Sequence, residues 1–530
     1  MIARRLAEAG CRFAFGMPGG EVAALVDALD EAGLRFVLTK HENAGGFMAE
    51  GTWHETGAPA VLVATLGPGV ANAANVVANA QQDRVPLIFL TGRADPAEAE
   101  SFTHQIFDHQ ALLRPIVKAS LAATSGAVAT VIEKALAIAL DGQPGPVHVD
   151  VPIGVAESEE RATEIQRRAA LAPAAPAPGL LLNEARELLR RAERPIMIAG
   201  LDAVNQNASA AISEFCRRFN TPLITTYKAK GLLPESDPLS LFGAGLSPKA
   251  DKILLPLLAQ SDCIILAGYD PIEMRIGWRN PWPADAPVIE ISAVSQHHFM
   301  HANRIAFTGD VGATLAALSR GLPPRPTWPA DEPASARRAL EDAFAIRSER
   351  FGPDHVFAML RRVLPQDMRV TIDSGAHRIL MSQMWRCEQP RTLIQSTGLC
   401  TMGCALPLAA GLSIASGDKA VAVMGDAGLE MVIGELATIR DLKLPLLLVV
   451  LVDESLELIA LKQRASNRAP VGVHFGGTDF PAVARAYGGE GVWIDDVPAL
   501  EKEIAAALDR SNRFTLLAAR IGRNAYDGRF

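Results

Sequence analysis

Ala420-Val421-Ala422-Val423-Met424-Gly425-Asp426-Ala427-Gly428, then the apolar run Leu444-Pro445-Leu446-Leu447-Leu448-Val449-Val450-Leu451-Val452 closing on Asp453, decides how this chain folds. A short β-branched run ending on glycine, a helical interval and a second apolar run make the strand–helix–strand unit of a parallel sheet. A strand apolar at every position is buried on both faces, which requires helices on both sides. Ligands of such sheets collect outside the carboxyl ends of the strands. Asp426 and Asp453 each fall at such an end, 27 residues apart. The helix expected between them spans 431–440, and its N-terminus would offer unpaired amides and a positive dipole end to a phosphate. Two oxygen ligands placed there suit a hard cation such as Mg²⁺ bridging a diphosphate. Taken alone, however, a Gly-Asp pair is most often an ordinary loop turn.

The same alternation runs through the whole chain. Ala60–Thr65 and Val85–Thr91 are predicted as buried strands with a helix over 71–82 between them, and Arg35–Thr39 as a further strand. Pro195–Gly200 and Cys263–Gly268 are apolar runs ending in glycine, as parallel strands often do. Two Pro-rich stretches, Arg167–Gly179 and Leu322–Pro329, read as stiff extended connectors. The expectation is an α/β protein of three doubly wound parallel-sheet domains, at 1–165, 180–322 and 340–530. A length of 530 residues agrees, being too great for one core.

Composition removes several classes. The formal net charge is -8 and there is no long basic run, which argues against nucleic-acid binding. The longest apolar stretch is broken by Pro445 and too short to span a bilayer. The N-terminus, Met1–Glu8, is a charged amphipathic helix start without the apolar core of a secretory signal. The six cysteines are scattered among apolar segments, and Cys400 and Cys404 lack the partners of a zinc site, so buried free thiols and a cytoplasmic location are expected.

A second element gives the Asp426 motif its meaning. Lys40-His41-Glu42-Asn43-Ala44 follows the strand at 35–39, and a lone Glu there would ordinarily be a solvated or capping residue. Its company includes Phe15-Gly16-Met17-Pro18-Gly19-Gly20, Thr65-Leu66-Gly67-Pro68-Gly69 with Asn72, and Phe47-Met48-Ala49-Glu50-Gly51. It also includes His104-Gln105 with Asp108, Arg114-Pro115 with Lys118, Asp373-Ser374-Gly375, and Gly398-Leu399-Cys400-Thr401-Met402-Gly403. In this order the segments resemble enzymes that use thiamine diphosphate, most closely the acetolactate-synthase-like branch, over nearly the whole chain.

The resemblance implies a pyrimidine-binding first domain, a central domain and a diphosphate-binding third domain. Glu42 would be the catalytic residue, hydrogen-bonding N1′ of the pyrimidine and so assisting proton removal from thiazolium C2. Gly19, Pro68, Asn72, Gly375, Gly398, Met402, Gly425, Asp426, Ala427, Gly428, Asp453 and Ser455 would contact the cofactor, Met402 imposing its bent shape. Asp426, the Asp453 side chain and the Ser455 carbonyl would hold Mg²⁺. Gln105, Lys118, Lys462 and Gln463 would face the substrate. It implies a 2-oxo acid donor and a carbonyl acceptor, and a homodimer or homotetramer whose sites form between the first domain of one subunit and the third of another.

The chain also departs from the pattern. Ala427 stands where the family has Gly, which is tolerable only if that residue needs no positive φ. Asp453-Glu454 replaces Asn-Asn, adding negative charge beside the metal. Ile106 replaces the Glu after the Gln. Gly268-Tyr269-Asp270 lacks the arginine of flavin-containing members, which puts FAD binding in doubt. Leu458–Gln463 replaces the substrate-selecting segment. Three outcomes follow: ligation of the acyl unit, decarboxylation or C–C lysis without ligation, and a cofactor-binding pseudoenzyme, the last disfavoured by retention of Glu42.

Overall fold

A computed structural model describes residues 1–101, 103–159 and 171–530. Positions 167–170 of the first Pro-rich stretch, and the expected domain end at 165, lie outside the described residues. Eighteen strands form three six-stranded sheets among the described residues. The first contains β1 (Phe13–Met17), β2 (Arg35–Leu38), β3 (Ala60–Ala64), β4 (Leu87–Arg93), β5 (Ala119–Ala122) and β6 (Val147–Pro152), in the order β2-β1-β3-β4-β6-β5. The second contains β7 (Pro195–Ala199), β8 (Leu223–Thr226), β9 (Ser240–Ala244), β10 (Cys263–Ala267), β11 (Val288–Ser292) and β12 (Ile305–Thr308), in the order β12-β11-β10-β7-β8-β9. The third contains β13 (Val370–Ile372), β14 (Leu393–Gln395), β15 (Val421–Gly425), β16 (Leu447–Val452), β17 (Glu490–Ile494) and β18 (Thr515–Arg520), in the order β14-β13-β15-β16-β18-β17. Every pairing is parallel, so the expected fold class is the one observed.

The first and third sheets wind identically, each reversing direction between its first and third strands. That reversal is where a doubly wound sheet opens a crevice at its carboxyl edge. In the third sheet it separates the residues after β13 from those after β15.

Strand β16 shows why so apolar a run is stable. Its six residues are all buried, and they divide by parity. Leu447, Val449 and Leu451 join a core shared with the second sheet and its helices. Leu448, Val450 and Val452 join a core shared with the first. Successive side chains of a strand point to opposite faces, so one strand supports both neighbours. The Pro-rich stretch at 322–329 is anchored rather than free: Trp328 is buried and its indole donates to the Pro195 carbonyl at 2.8 Å.

One expectation needs correction. The predicted helix over 431–440 is two shorter helices, Asp426–Met431 and Glu435–Asp441, separated by a turn. Asp426 is thus the first residue of a helix and does not lie a turn ahead of one. Val432, at φ -129°, leaves helical geometry and interrupts what the apolar spacing made continuous.

First and third sheets meet through helix Glu42–Thr56 and helix Ala405–Ser416, which cross at glycines. A Cβ on Gly411 would lie 2.0 Å from the Met48 carbonyl oxygen, and one on Gly51 would lie 2.4 Å from that of Leu408. Gly411→Val should therefore force the helices apart, costing about 2–3 kcal/mol. Thermal unfolding followed by circular dichroism will show this as a lower melting temperature.

Beside that crossing, Glu50 is fully buried, accepting from Asn79 at 3.2 Å and lying 3.2 Å from His54. Burial pushes its carboxyl from 4.5 up to about 8; Lys228, at 4.0 Å, opposes the rise and Asp83 adds to it. Between those values the folded protein holds a proton that the unfolded chain has released, so this group's contribution to stability falls as pH rises from about 4.5 to about 8. Glu50→Gln should flatten that part of the profile in denaturant titrations across this range.

Candidate functional site

Asp426 is 3% exposed and sits where β15 passes into its helix. One carboxylate oxygen accepts from the amide of Ala427 at 2.8 Å. The other accepts from the amides of Asp453 and Glu454 at 3.1 and 2.7 Å. Because β15 and β16 are paired in register, Gly425 opposite Leu451, these bonds close the carboxyl edge between two neighbouring strands. Ala427 is absent from the residues with positive φ, so its methyl group is accommodated without strain. Gly428 is the position that admits no side chain, since a Cβ would lie 2.1 Å from Asp373 Oδ2.

Asp453 is buried, and its Oδ1 accepts from the Ser455 amide at 3.1 Å. Burial, then the neighbouring carboxylates of Asp426 and Glu457, push its carboxyl up to about 8. Glu454 takes φ +53°, a conformation Asn tolerates better than Glu. Its side chain reaches instead toward Arg523, 3.6 Å away, so its charge is directed outward. Ser455 Oγ and Glu457 Oε2 are buried without a hydrogen-bond partner among the described residues, while Glu457 Oε1 meets Arg464 at 2.5 Å.

These groups line a cavity of about 190 Å³ at the switch point of the third sheet. Of the residues singled out for cofactor or metal, Gly375, Met402, Gly425, Asp426, Ala427, Gly428, Asp453 and Ser455 all line it. Helix Ala376–Met384 starts at Gly375, and beneath it His377 Nε2 lies 2.7 Å from Asp373 Oδ1. The other oxygen of Asp373 accepts from the Gly403 amide at 2.7 Å, fixing the loop that carries Met402. An oxygen-only donor set with too much buried negative charge fits a hard cation and the diphosphate it would bridge.

Four residues of the first sheet gather separately. Glu42 opens helix Glu42–Thr56, is 5% exposed, and accepts from Asn72 Nδ2 at 3.0 Å. Pro68 is the first residue of helix Pro68–Gln82, which carries Asn72. Gly19 faces Thr65 across the switch between β1 and β3. Glu42 does not line the cavity at Asp426, whose walls come wholly from residues 374–526.

The remaining residues fall elsewhere. Gly398 packs on the helix at 68–82, where its amide donates to Asp83 at 2.9 Å. Gln105, at φ +60°, lies over Gly67 and lines a different cavity of about 390 Å³. Lys118 donates to the carbonyls of Asp141 and Gln143 at 2.6 and 2.9 Å. Lys462 is exposed, and Gln463 donates to the Val471 carbonyl at 3.1 Å; neither lines the Asp426 cavity. From that helix, Glu457, Leu458 and Ile459 reach the wall instead. Tyr526, beyond the last strand, also lines it. Nothing in the periodicity of Arg523-Asn524-Ala525-Tyr526 signals this, whereas the Asp373–His377 spacing, four residues apart at a helix start, was a readable signal.

Comparison with known proteins agrees with this geometry. Residues 1–112 match the thiamine pyrophosphate enzyme N-terminal TPP binding domain, 182–318 the central domain and 373–519 the C-terminal TPP binding domain. Acetolactate synthase of Bacillus subtilis is 29% identical over 92% of this chain and 87% of its own length. The catabolic acetolactate synthase of Raoultella terrigena is 27% identical over 96% and 92%. A probable 2-ketoarginine decarboxylase of Pseudomonas aeruginosa is 30% identical over 96% and 91%. With three matched domains, three parallel sheets and relatives along nearly its whole length, the chain belongs to the thiamine pyrophosphate enzyme family, in its acetolactate-synthase-like branch.

Proposed function

We propose that the protein is a thiamine-diphosphate- and Mg²⁺-dependent enzyme that decarboxylates a 2-oxo acid and joins the acyl unit to a carbonyl acceptor. The observation that carries this reading is the buried Asp426–Asp453 pair at the mouth of a switch-point cavity, where a bound cation would offset the repulsion that pushes the Asp453 carboxyl up. When bound, the cofactor supplies the electron sink that decarboxylation requires. Asp426, Asp453 and Ser455 would hold the metal, and Gly375, Met402 and Gly428 would shape the space above it. Glu42 would hold the proton at N1′, oriented by Asn72. Leu458, Ile459 and Tyr526 would exclude water from the substrate side.

A second reading, decarboxylation with a proton as acceptor, draws on one feature. Glu457 places a buried carboxylate in the cavity wall, which suits a donor with a cationic tail better than a second anionic 2-oxo acid. One of the relatives is a probable 2-ketoarginine decarboxylase. Incubating the loaded enzyme with pyruvate and with 2-ketoarginine, and identifying products by mass spectrometry, separates the readings. An acyloin product supports ligation; an aldehyde alone supports the second.

Asp426→Ala tests the metal end. It orphans the buried amides of Asp453 and Glu454, which should cost about 1–3 kcal/mol without any ligand. It should also abolish the rise in melting temperature produced by Mg²⁺ with thiamine diphosphate, whereas Asp453→Asn should keep that rise. Scanning fluorimetry reads both effects.

Flavin is not part of the proposal. At the switch point of the second sheet, the Gly268 carbonyl accepts from the Asp202 amide at 3.1 Å, and a Cβ on Gly200 would lie 2.5 Å from that oxygen. Asp202, Asp270 and Glu273 line only a small cavity beside it, of about 20 Å³. The purified protein should be colourless, with no absorbance near 450 nm on the order of that of stoichiometric flavin.

Glu42 and the Asp426 cavity have no lining residue in common, so the proposal assigns each complete site to two copies of the chain. Glu42→Gln should leave cofactor binding intact and slow deuterium exchange at C2 of the bound cofactor at least about a hundredfold. Mixing Glu42→Gln with Asp426→Ala protein under exchange conditions should restore part of the lost exchange activity. Each heterodimer would then contain one intact site.

A further inference from the structure

The carboxyl edge of the first sheet carries a buried polar chain that the chemistry above does not use. Ser120 Oγ lies 2.7 Å from His148 Nδ1, and His148 Nε2 lies 2.8 Å from Thr91 Oγ1. Thr91 donates to Asp150 Oδ1 at 2.9 Å, and His109 Nδ1 lies 2.9 Å from the same oxygen. At the far end, the Gly67 amide donates to His109 Nε2 at 3.1 Å. Thr91, His148 and Asp150 are at most 1% exposed and His109 is 6% exposed.

Proton positions follow from what each atom can do. A main-chain amide only donates, so His109 Nε2 is bare and the ring's proton is on Nδ1, pointing at Asp150. Thr91 spends its single proton on Asp150 and must accept from His148 Nε2–H. His148 Nδ1 meets the Ser120 hydroxyl, which can donate or accept, while His109 is held in one tautomer by the Gly67 amide and Asp150. The ligand atoms of His109, His148 and Asp150 lie within 4.8 Å of one another, but these bonds already engage them, so the cluster reads as a clamp and not as a metal site.

The clamp ends on a sensitive place. Gly67 has φ +63° and ψ -105°, a backbone state costly for any residue with a side chain. It introduces Pro68 and Gly69, and a Cβ on Gly69 would lie 3.3 Å from Glu42 Oε1. One turn on, Asn72 donates to the other oxygen of Glu42.

We propose that His109 is a positioning residue for Glu42: its bare Nε2 holds the Gly67 amide and so sets the turn that places Pro68, Gly69 and Asn72 against the Glu42 carboxylate. The inference rests on the reading of Glu42 as the catalytic residue. Protonation of Nε2 puts a donor where the Gly67 donor needs an acceptor, and the clamp is lost. The groups facing His109 are Asp150 and His148 from β6, Arg93 from β4, whose guanidinium lies 3.5 Å from Asp150, and Asp108 on its own turn. Burial would raise the Asp150 carboxyl, but hydrogen bonds from His109 and His148 hold it well below the usual range, so it stays anionic as pH falls.

The test compares His109→Gln and His109→Phe in the full-length protein. Gln places a neutral oxygen acceptor near the Nε2 position and cannot be protonated; Phe removes the acceptor. Deuterium exchange at C2 of bound thiamine diphosphate, quenched in acid and read by NMR, needs no knowledge of the substrate. His109→Phe should slow it about tenfold or more with cofactor affinity changed less than about twofold, while His109→Gln stays within about threefold of wild type. Wild-type exchange should fall on acidification with a limb that His109→Gln lacks. In the cofactor-free protein, the Gly67 amide resonance should follow the His109 titration in wild type and not in His109→Gln. Exchange by His109→Phe within twofold of wild type overturns the proposal, as does a Gly67 amide that ignores His109. If His109→Phe does not fold, the Gln variant and the amide titration decide the matter. If the amide tracks His109 but Glu42→Gln exchanges normally, the clamp stands and the catalytic reading of Glu42 falls.

Discussion

The two amide hydrogen bonds that Asp426 accepts from Asp453 and Glu454 are the constraint on which the rest of the site depends. A carboxylate buried at a strand end must be satisfied by the main chain or paired with a cation. Here the main chain does part of this work by drawing the turn after β16 over the end of β15. The arrangement costs a left-handed Glu454 and an Asp453 pushed up to about 8. The second sits in the cavity wall, where a bound cation would offset it.

That turn is held in place by packing far from it. Strand β16 contributes alternate side chains to two cores, one shared with the first sheet and one with the second. The third sheet therefore packs against both of the others, and its carboxyl edge cannot shift without disturbing both neighbours. The second sheet takes part in this support. Glu273 reaches the buried Arg378 at 2.6 Å, and Arg378 donates to Cys400 beside Met402. A segment whose sequence lost its flavin-type arginine thus still braces the loop over the cavity.

Much of this was legible in the chain because it depends on local pattern. Strands at 60–64, 195–199, 263–267 and 447–452 announce themselves through unbroken apolar runs, and the Gly425-Asp426 turn through its place after one of them. What escaped depends on tertiary approach. Apolar spacing carried one helix across 431–440, yet the chain breaks at Val432. Lys462 and Gln463 lie on the helix that reaches the Asp426 cavity without lining it, while Glu457, Leu458 and Ile459 turn inward. Tyr526 and His109 reach their places only because the carboxyl edges of distant strands converge, which no spacing along the chain records. Lys118 is similar to a family residue in its segment, but here its cation is spent on two carbonyls.

The identical winding of the first and third sheets bears on why the candidate residues lie in two groups. Each sheet opens a crevice at its own reversal: one carries Glu42 with Asn72 bonded to it, the other the buried carboxylates of Asp426 and Asp453. Within a single chain the two sheets are joined by the glycine crossing of helices 42–56 and 405–416 and by the Lys40 amide, which donates to Glu435 at 2.8 Å. That joint is tight, since an added Cβ at Gly51 or Gly411 would meet main-chain atoms of the facing helix. In the proposed dimer, a second copy related by a two-fold axis would bring the first-sheet crevice of each chain to the third-sheet crevice of its partner and complete two sites with one contact. On that proposal, the tight joint inside the chain and the division of the candidate residues between two crevices both follow from the same duplicated topology.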